Sequence, residues 1–170
     1  VRIYALFQMG GIYLDTDVQV LKSFDPFLKY HTFMSFEGDE NLIGTAVIGS
    51  EKKMFFLKEL LDFYNNNSFN ENTLGALQNT TLLQKILLEK GLRLDNSRQT
   101  LKDGIEMFPM DYFSAKNVHR DEYHITENTV CIHQYNMSWF DPRHRLWIKF
   151  ANRYIKPVKR FLGLLPPKYQ

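Results

Sequence analysis

A single cysteine, Cys131, stands among the 170 residues, so no disulfide can form within the chain and a reducing compartment is the natural setting. Long apolar runs are missing too: none approaches the ~20 residues that cross a bilayer as a helix. No internal repeat is visible, and the Asn-rich stretch 65–72 is the only biased segment. One sign of charge is absent from the end of the chain. Of the 21 lysines and arginines, eight fall between Arg143 and Gln170, and none of the 19 acidic residues does. The body is therefore acidic and the tail basic. Nucleic-acid binders spread basic residues over the folded face as well, so this pattern argues against a nucleic-acid partner. A basic tail suits an anionic surface instead. An initiator Met is also lacking, and VRIYALFQMGG already reads as a helix under way, so the chain is expected to be incomplete at its N-terminus.

What is present is enough for a packed domain. The chain is 44% hydrophobic and 15% aromatic, which excludes a disordered polymer. Ile3, Leu6 and Phe7 have helical spacing, and Gly10-Gly11 supply a stop. Ile12–Leu14, Phe33–Phe36, Thr45–Ile48 and Val130–Ile132 read as short buried strands. Lys53–Tyr64 repeats apolar residues at helical spacing and runs into Asn65-Asn66-Asn67. Thr81 and Gln84 have the spacing of a capping box for a helix Leu82–Lys90 that Gly91 closes. Helices alternating with short apolar strands indicate an α/β sheet, in which ligands bind outside the carboxyl ends of the strands.

Asp15 and Asp17 stand at such an end, in GGIYLDTDVQVL, and His133 directly follows another expected strand. In extended backbone, residues i and i+2 point the same way, so the two carboxylates could converge on one cation. Oxygen donors favour Mg²⁺ or Mn²⁺. A strand-to-turn junction capped by Thr16 and Asp17 would explain the same residues without a metal. Glu37, Asp39 and Glu40 form a second acidic group on a Gly-containing loop. They read either as a solvated loop or as acceptors for sugar hydroxyls.

The stretch GGIYLDTDVQVLKSFDPFL closely resembles the DXD region of glycosyltransferase family 32, whose bacterial and fungal members include enzymes of capsular polysaccharide and lipopolysaccharide assembly. In that family a helix carrying Asp-x-x-Arg leads into the two glycines. Arg2 matches the Arg, and its Asp partner would fall before Val1. A later apolar strand followed by His and Ser-Trp is matched by VCIHQYNMSW, with His133, Ser138 and Trp139. The resemblance spans Val1 to about Trp139 and is most specific over residues 2–28.

The resemblance implies an α/β fold of the GT-A, Rossmann-like type and a retaining, metal-dependent sugar transfer. The donor would be a UDP- or GDP-sugar and the acceptor a glycan or a lipid-linked glycan. It implies Mn²⁺ or Mg²⁺ on Asp17 and His133, with Asp15 catalytic beside Asp17. Arg2, Asp15, Ser138 and Trp139 would bind the donor, while Glu37 and Asp39 border the acceptor. Residues 1–142 would be the C-terminal part of the catalytic domain. Residues 143–170 would be a basic amphipathic helix that either packs on the domain or meets an anionic membrane from the cytoplasmic side.

Two rivals remain at this level. Haloacid-dehalogenase-type phosphatases also place Asp-x-Asp after a strand, but want Thr or Val where Gln19 stands, and Lys102-Asp103 is a poor substitute for their later residues. The other rival is a non-catalytic module that binds sugar or metal.

Overall fold

The computed structural model describes residues 1–38, 42–67, 79–117 and 122–136, and beyond these 141, 143, 146, 147, 150–155 and 158. The chain opens with α1 (Arg2–Met9), which buries Ile3 and Leu6 as their spacing predicts. Gly10 ends the helix at φ 69°, and its N–H donates to Leu6 O. A Cβ at Gly10 would lie 2.8 Å from Lys52 N, so both the turn and the close approach require glycine. β1 (Gly11–Leu14) follows, then a turn into β2 (Val18–Val20). A 3₁₀ turn at Asp25–Phe27 leads to β3 (Thr32–Glu37), β4 (Leu42–Ile43) and β5 (Val47–Ser50). Two helices come next, α2 (Phe55–Asn66) and α3 (Asn79–Glu89). The remaining elements are β6 (Gln99–Thr100), β7 (Ile105–Phe108), α4 (Met110–Phe113), β8 (Lys116–Asn117), β9 (Glu122–Tyr123) and β10 (Cys131–His133).

The main sheet has the order β1-β5-β3-β7-β6, with β4 paired to the end of β3. β3 and β7 run parallel, with Thr32 opposite Ile105 and Ser35 opposite Phe108, joined by a crossover through α2 and α3. The other pairs are antiparallel. This mixed α/β sheet fits a Rossmann-like fold.

Side chains alternate across β3 and build two cores. Met34 and Phe36 join Ile48, Leu57, Leu60 and Leu83 under the helices. Phe33 faces the other way, into an aromatic cluster with Phe27, Phe108 and Phe113. The Phe33 ring sits directly on Gly49, where a Cβ would come within 2.1 Å of it, so glycine is fixed there by the ring. Outside this sheet, β2 pairs antiparallel with β10, and β8 with β9.

Several expectations shift. The third expected strand, Thr45–Ile48, starts later, at Val47, and runs to Ser50. Asn79 and Thr80 are already helical, so Thr81 lies inside α3 and its backbone lacks the non-helical conformation that a capping box needs. The close at Gly91 is as read, with Leu92 N–H donating to Leu87 O and Gly91 N–H to Leu88 O. Asp15-Thr16-Asp17 is a turn and not an extended strand end. Asp15 N–H still donates to Ala46 O, but Val18 N–H then closes on Asp15 O, because the chain leaves β5 here to pair with β10.

Among the described residues, no helix is long and apolar enough to cross a membrane. In the tail, Trp147, Phe150 and Tyr154 lie side by side, with ring centroids 6.0 and 5.1 Å apart, and each is at least half exposed.

Candidate metal centre

The seam between the main sheet and the β2–β10 pair gathers the acidic residues. The turn that follows β1 delivers both Asp15 and Asp17. The antiparallel register sets His133 opposite Val18, directly beside Asp17. Gln134 N–H donates to Asp17 O at 3.0 Å, which carries the pairing past the strand end and locks the two segments together. One ligand atom each from Asp15, Asp17 and His133 lies within 4.8 Å of the others. Two carboxylates and an imidazole suit a divalent ion that accepts oxygen and nitrogen donors.

Each ligand is held in place by its neighbours. Asp15 Oδ1 accepts a hydrogen bond from the Tyr13 hydroxyl and pairs with Arg2 at 3.1 Å. Arg2 is itself anchored by donating to Thr45 O at 2.7 Å, and its guanidinium stacks 4.7 Å over the Tyr13 ring. Asp17 Oδ2 accepts the Asn136 backbone N–H at 2.8 Å, leaving Oδ1 3.4 Å from His133 Nε2. The other imidazole nitrogen, Nδ1, points to Glu37 Oε2 at 3.8 Å. Both of those atoms are buried, and neither has a hydrogen-bond partner among the described residues. Tyr135 covers the imidazole, with ring centroids 3.9 Å apart, and adopts φ 53° to do so. That left-handed backbone is rare for an aromatic residue and marks a strained position at the site.

Burial governs the neighbouring ionisable groups. It pushes the Tyr135 hydroxyl far above the usual phenol range, with the Glu37 charge adding to the effect. Tyr13 is raised as well, first by burial and then by its hydrogen bond to Asp15. Both phenols therefore stay protonated and keep an O–H to donate. The Cys131 thiol, two residues before His133, is pushed up to about 12 by burial, so thiolate chemistry has no place here.

Of the residues that the sequence singles out, Arg2, Asp15, Asp17 and His133 come together. Glu37 stands behind His133 and also lines a cavity of about 390 Å³ with Thr80, Thr81, Gln84 and Lys85. Asp39, Ser138 and Trp139 lie outside the described residues. Sequence reasoning passed over Tyr13 and Tyr135. Tyr13 had a signal, because residues i and i+2 of a strand share a face and Asp15 is two residues on. Tyr135 had none, since its place depends on a backbone conformation that no local pattern announces.

Residues 1–34 match the family model described as the glycosyltransferase sugar-binding region containing the DXD motif. A protein of Arabidopsis thaliana described as uncharacterized is 32% identical over 114 residues, which is 65% of this chain. The chain spans only 17% of that relative's length. No solved structure matches. The family match supports a glycosyltransferase-like chain, and the geometry adds an Asp-Asp-His group that could hold a metal ion.

Proposed function

We propose that the chain carries the metal-binding centre of a GT-A-type glycosyltransferase that moves a sugar from a UDP- or GDP-sugar to a glycan or lipid-linked acceptor, with retention at the anomeric carbon. The observation that carries this reading is the convergence of Asp15, Asp17 and His133 within a segment matched to the DXD sugar-binding region. Mn²⁺ or Mg²⁺, held by Asp17 and His133, would offset the charge that develops on the leaving nucleoside diphosphate.

The chain's own residues divide the remaining work. Asp17 and His133 hold the ion, and Asp15 stands catalytic beside Asp17. Arg2 and Tyr13 fix one oxygen of Asp15, so its carboxylate presents the other toward the donor. Arg2 also brings a planar cation to the edge of the site, a geometry suited to a phosphate oxygen. Ser138 and Trp139 serve as hydroxyl and indole N–H donors to the diphosphate. The cavity bordered by Glu37 and by the hydroxyls and amide of Thr80, Thr81 and Gln84 suits the acceptor sugar, and Asp39 is assigned to the same acceptor. The basic tail, with Trp147, Phe150 and Tyr154 exposed, is suited to an anionic bilayer on the cytoplasmic face, where acceptors for surface polysaccharides are lipid-linked.

The test is Mn²⁺-dependent hydrolysis of UDP- and GDP-sugars by the protein beside Asp17→Ala. The reading predicts hydrolysis of at least one donor that requires Mn²⁺ and is lost in the variant. Equal hydrolysis by both proteins, with or without Mn²⁺, would overturn it.

A further inference from the structure

We propose that Glu37 is a positioning residue for the metal centre: its Oε2 accepts the Nδ1 proton of His133 and so turns the Nε2 lone pair toward the cation between Asp15 and Asp17. The proposal rests on the metal reading above and deepens it.

His133 sits between carboxylates on both sides. Nε2 faces Asp17 Oδ1 at 3.4 Å and Nδ1 faces Glu37 Oε2 at 3.8 Å. A neutral imidazole carries one N–H and one lone pair, so one side must donate and the other accept. The two sides are not equivalent. Nε2 faces Asp17, and one ligand atom each from Asp15, Asp17 and His133 lies within 4.8 Å of the others, a grouping that could hold a cation. On the Nδ1 side stands one buried carboxylate oxygen with no hydrogen-bond partner among the described residues, facing a nitrogen equally without one. A proton on Nδ1 satisfies both orphaned atoms at once. A proton on Nε2 would leave Nδ1 unsatisfied, with only the neighbouring Tyr135 hydroxyl to serve Glu37, and would close the lone pair to a metal.

Charge balance points the same way. Asp15, Asp17 and Glu37 bring three negative charges around one imidazole, and Arg2 supplies one positive charge through Asp15. A divalent ion restores neutrality while the imidazole stays neutral, which is the form that ligates. The surroundings keep Glu37 where it is. It is the last residue of β3 and pairs with Leu42, and Gly44 donates its N–H to Ser35 O beside it. A Cβ at Gly44 would lie 3.0 Å from Ser35 O, so the close approach of the two backbones beside Glu37 favours glycine. Tyr135 stacks on the imidazole and limits its rotation. The 3.8 Å separation is about 1 Å longer than a charge-assisted hydrogen bond, and such contacts tighten when a site is loaded.

The experiment compares the whole chain with Glu37→Gln, Glu37→Leu and Asp17→Ala. Mn²⁺ affinity is read by electron paramagnetic resonance, and the His133 tautomer by long-range ¹H–¹⁵N NMR with Cd²⁺ as a diamagnetic probe. The loaded wild type is expected to show the Nδ1–H tautomer. Glu37→Gln retains an acceptor oxygen, so it keeps the tautomer and loses less than about tenfold in Mn²⁺ affinity, whereas Glu37→Leu loses the tautomer preference and about 10–100-fold in affinity. An Nε2–H tautomer in the loaded wild type would overturn the proposal, as would unchanged affinity and imidazole signals in Glu37→Leu while Asp17→Ala abolishes binding. A loss in Glu37→Gln as deep as that in Asp17→Ala would make Glu37 a direct ligand and overturn it equally. If wild type binds no Mn²⁺, the metal reading itself fails. Should Glu37→Leu not fold, the tautomer in wild type and in Glu37→Gln still decides.

Discussion

Replacing Asp17 by Asn removes one charge from the seam and almost nothing else. The amide oxygen can still accept the Asn136 N–H that Asp17 Oδ2 accepts now, and Asp17 O keeps the Gln134 N–H. The β2–β10 pairing therefore survives. Two opposite effects follow. At about pH 8, above the ordinary imidazole range, three carboxylates face one guanidinium in the metal-free protein, so Asp17→Asn relieves repulsion and thermal stability is no lower than wild type. Metal binding, in contrast, collapses. A carboxylate about 4 Å from a divalent ion gains roughly 8 kcal/mol at an effective dielectric of 20, most of which is offset by desolvation and by the amide oxygen that remains. A net loss of about 2.8 kcal/mol is a roughly hundredfold weaker Kd.

The assay is a thermal melt with and without Mn²⁺. At a concentration 100 times the wild-type Kd, Mn²⁺ adds about 2.7 kcal/mol to the wild type. For a chain of this size that raises Tm by about 5–11 °C. The same concentration merely equals the Kd of the variant, which gains about 0.4 kcal/mol, or roughly 1 °C. An equal Mn²⁺ shift in both proteins would refute the assignment of Asp17, and so would a metal-free variant that melts several degrees below wild type.

Three further outcomes are expected. Because burial holds the Cys131 thiol protonated up to about 12, against 9.0 for an ordinary thiol, unfolding releases a proton between those values. Stability is thus fully present below about pH 9 and falls as pH rises toward about 12, by at most about 1.4 kcal/mol per unit. Cys131→Ala removes this contribution to the slope. In the same vein, a thiol reagent at about pH 8 should modify native Cys131 no faster than the chain opens, and rapid labelling of the folded protein would contradict the burial argument. For the tail, flotation with anionic vesicles should retain the whole chain and release one truncated before Arg143; identical partitioning would remove the membrane reading.

Much of the site was legible because its parts sit on local patterns. The helix stop at Gly10-Gly11, the apolar Ile12–Leu14 and the Asp-x-Asp all fall within eight residues, and His133 ends a short apolar run. The sheet order was not. β7 is interrupted in sequence by Glu106, which stays buried by accepting a hydrogen bond from the Thr100 hydroxyl on β6, so the run Ile105–Phe108 does not read as a core strand. Its pairing to β3 joins Thr32–Ser35 to residues some seventy positions later, a register that no local window contains. β2, β6, β8 and β9 have two or three residues each, too few for a period to show. Glu37 was visible as an acidic residue, but its role as the neighbour of His133 depends on the way β3 ends beside β10.

The pairing of β2 with β10 also has a consequence for how the protein is made. Asp17 and the backbone amide that holds its side chain are separated by 119 residues. During synthesis the imidazole that completes their group leaves the ribosome well over a hundred residues after Asp15 and Asp17. A nascent or prematurely terminated chain thus carries two carboxylates without the third ligand and without the clamp on Asp17. Competence at this seam is withheld until β10 has been made, so products that stop before it have only a weak hold on a cation.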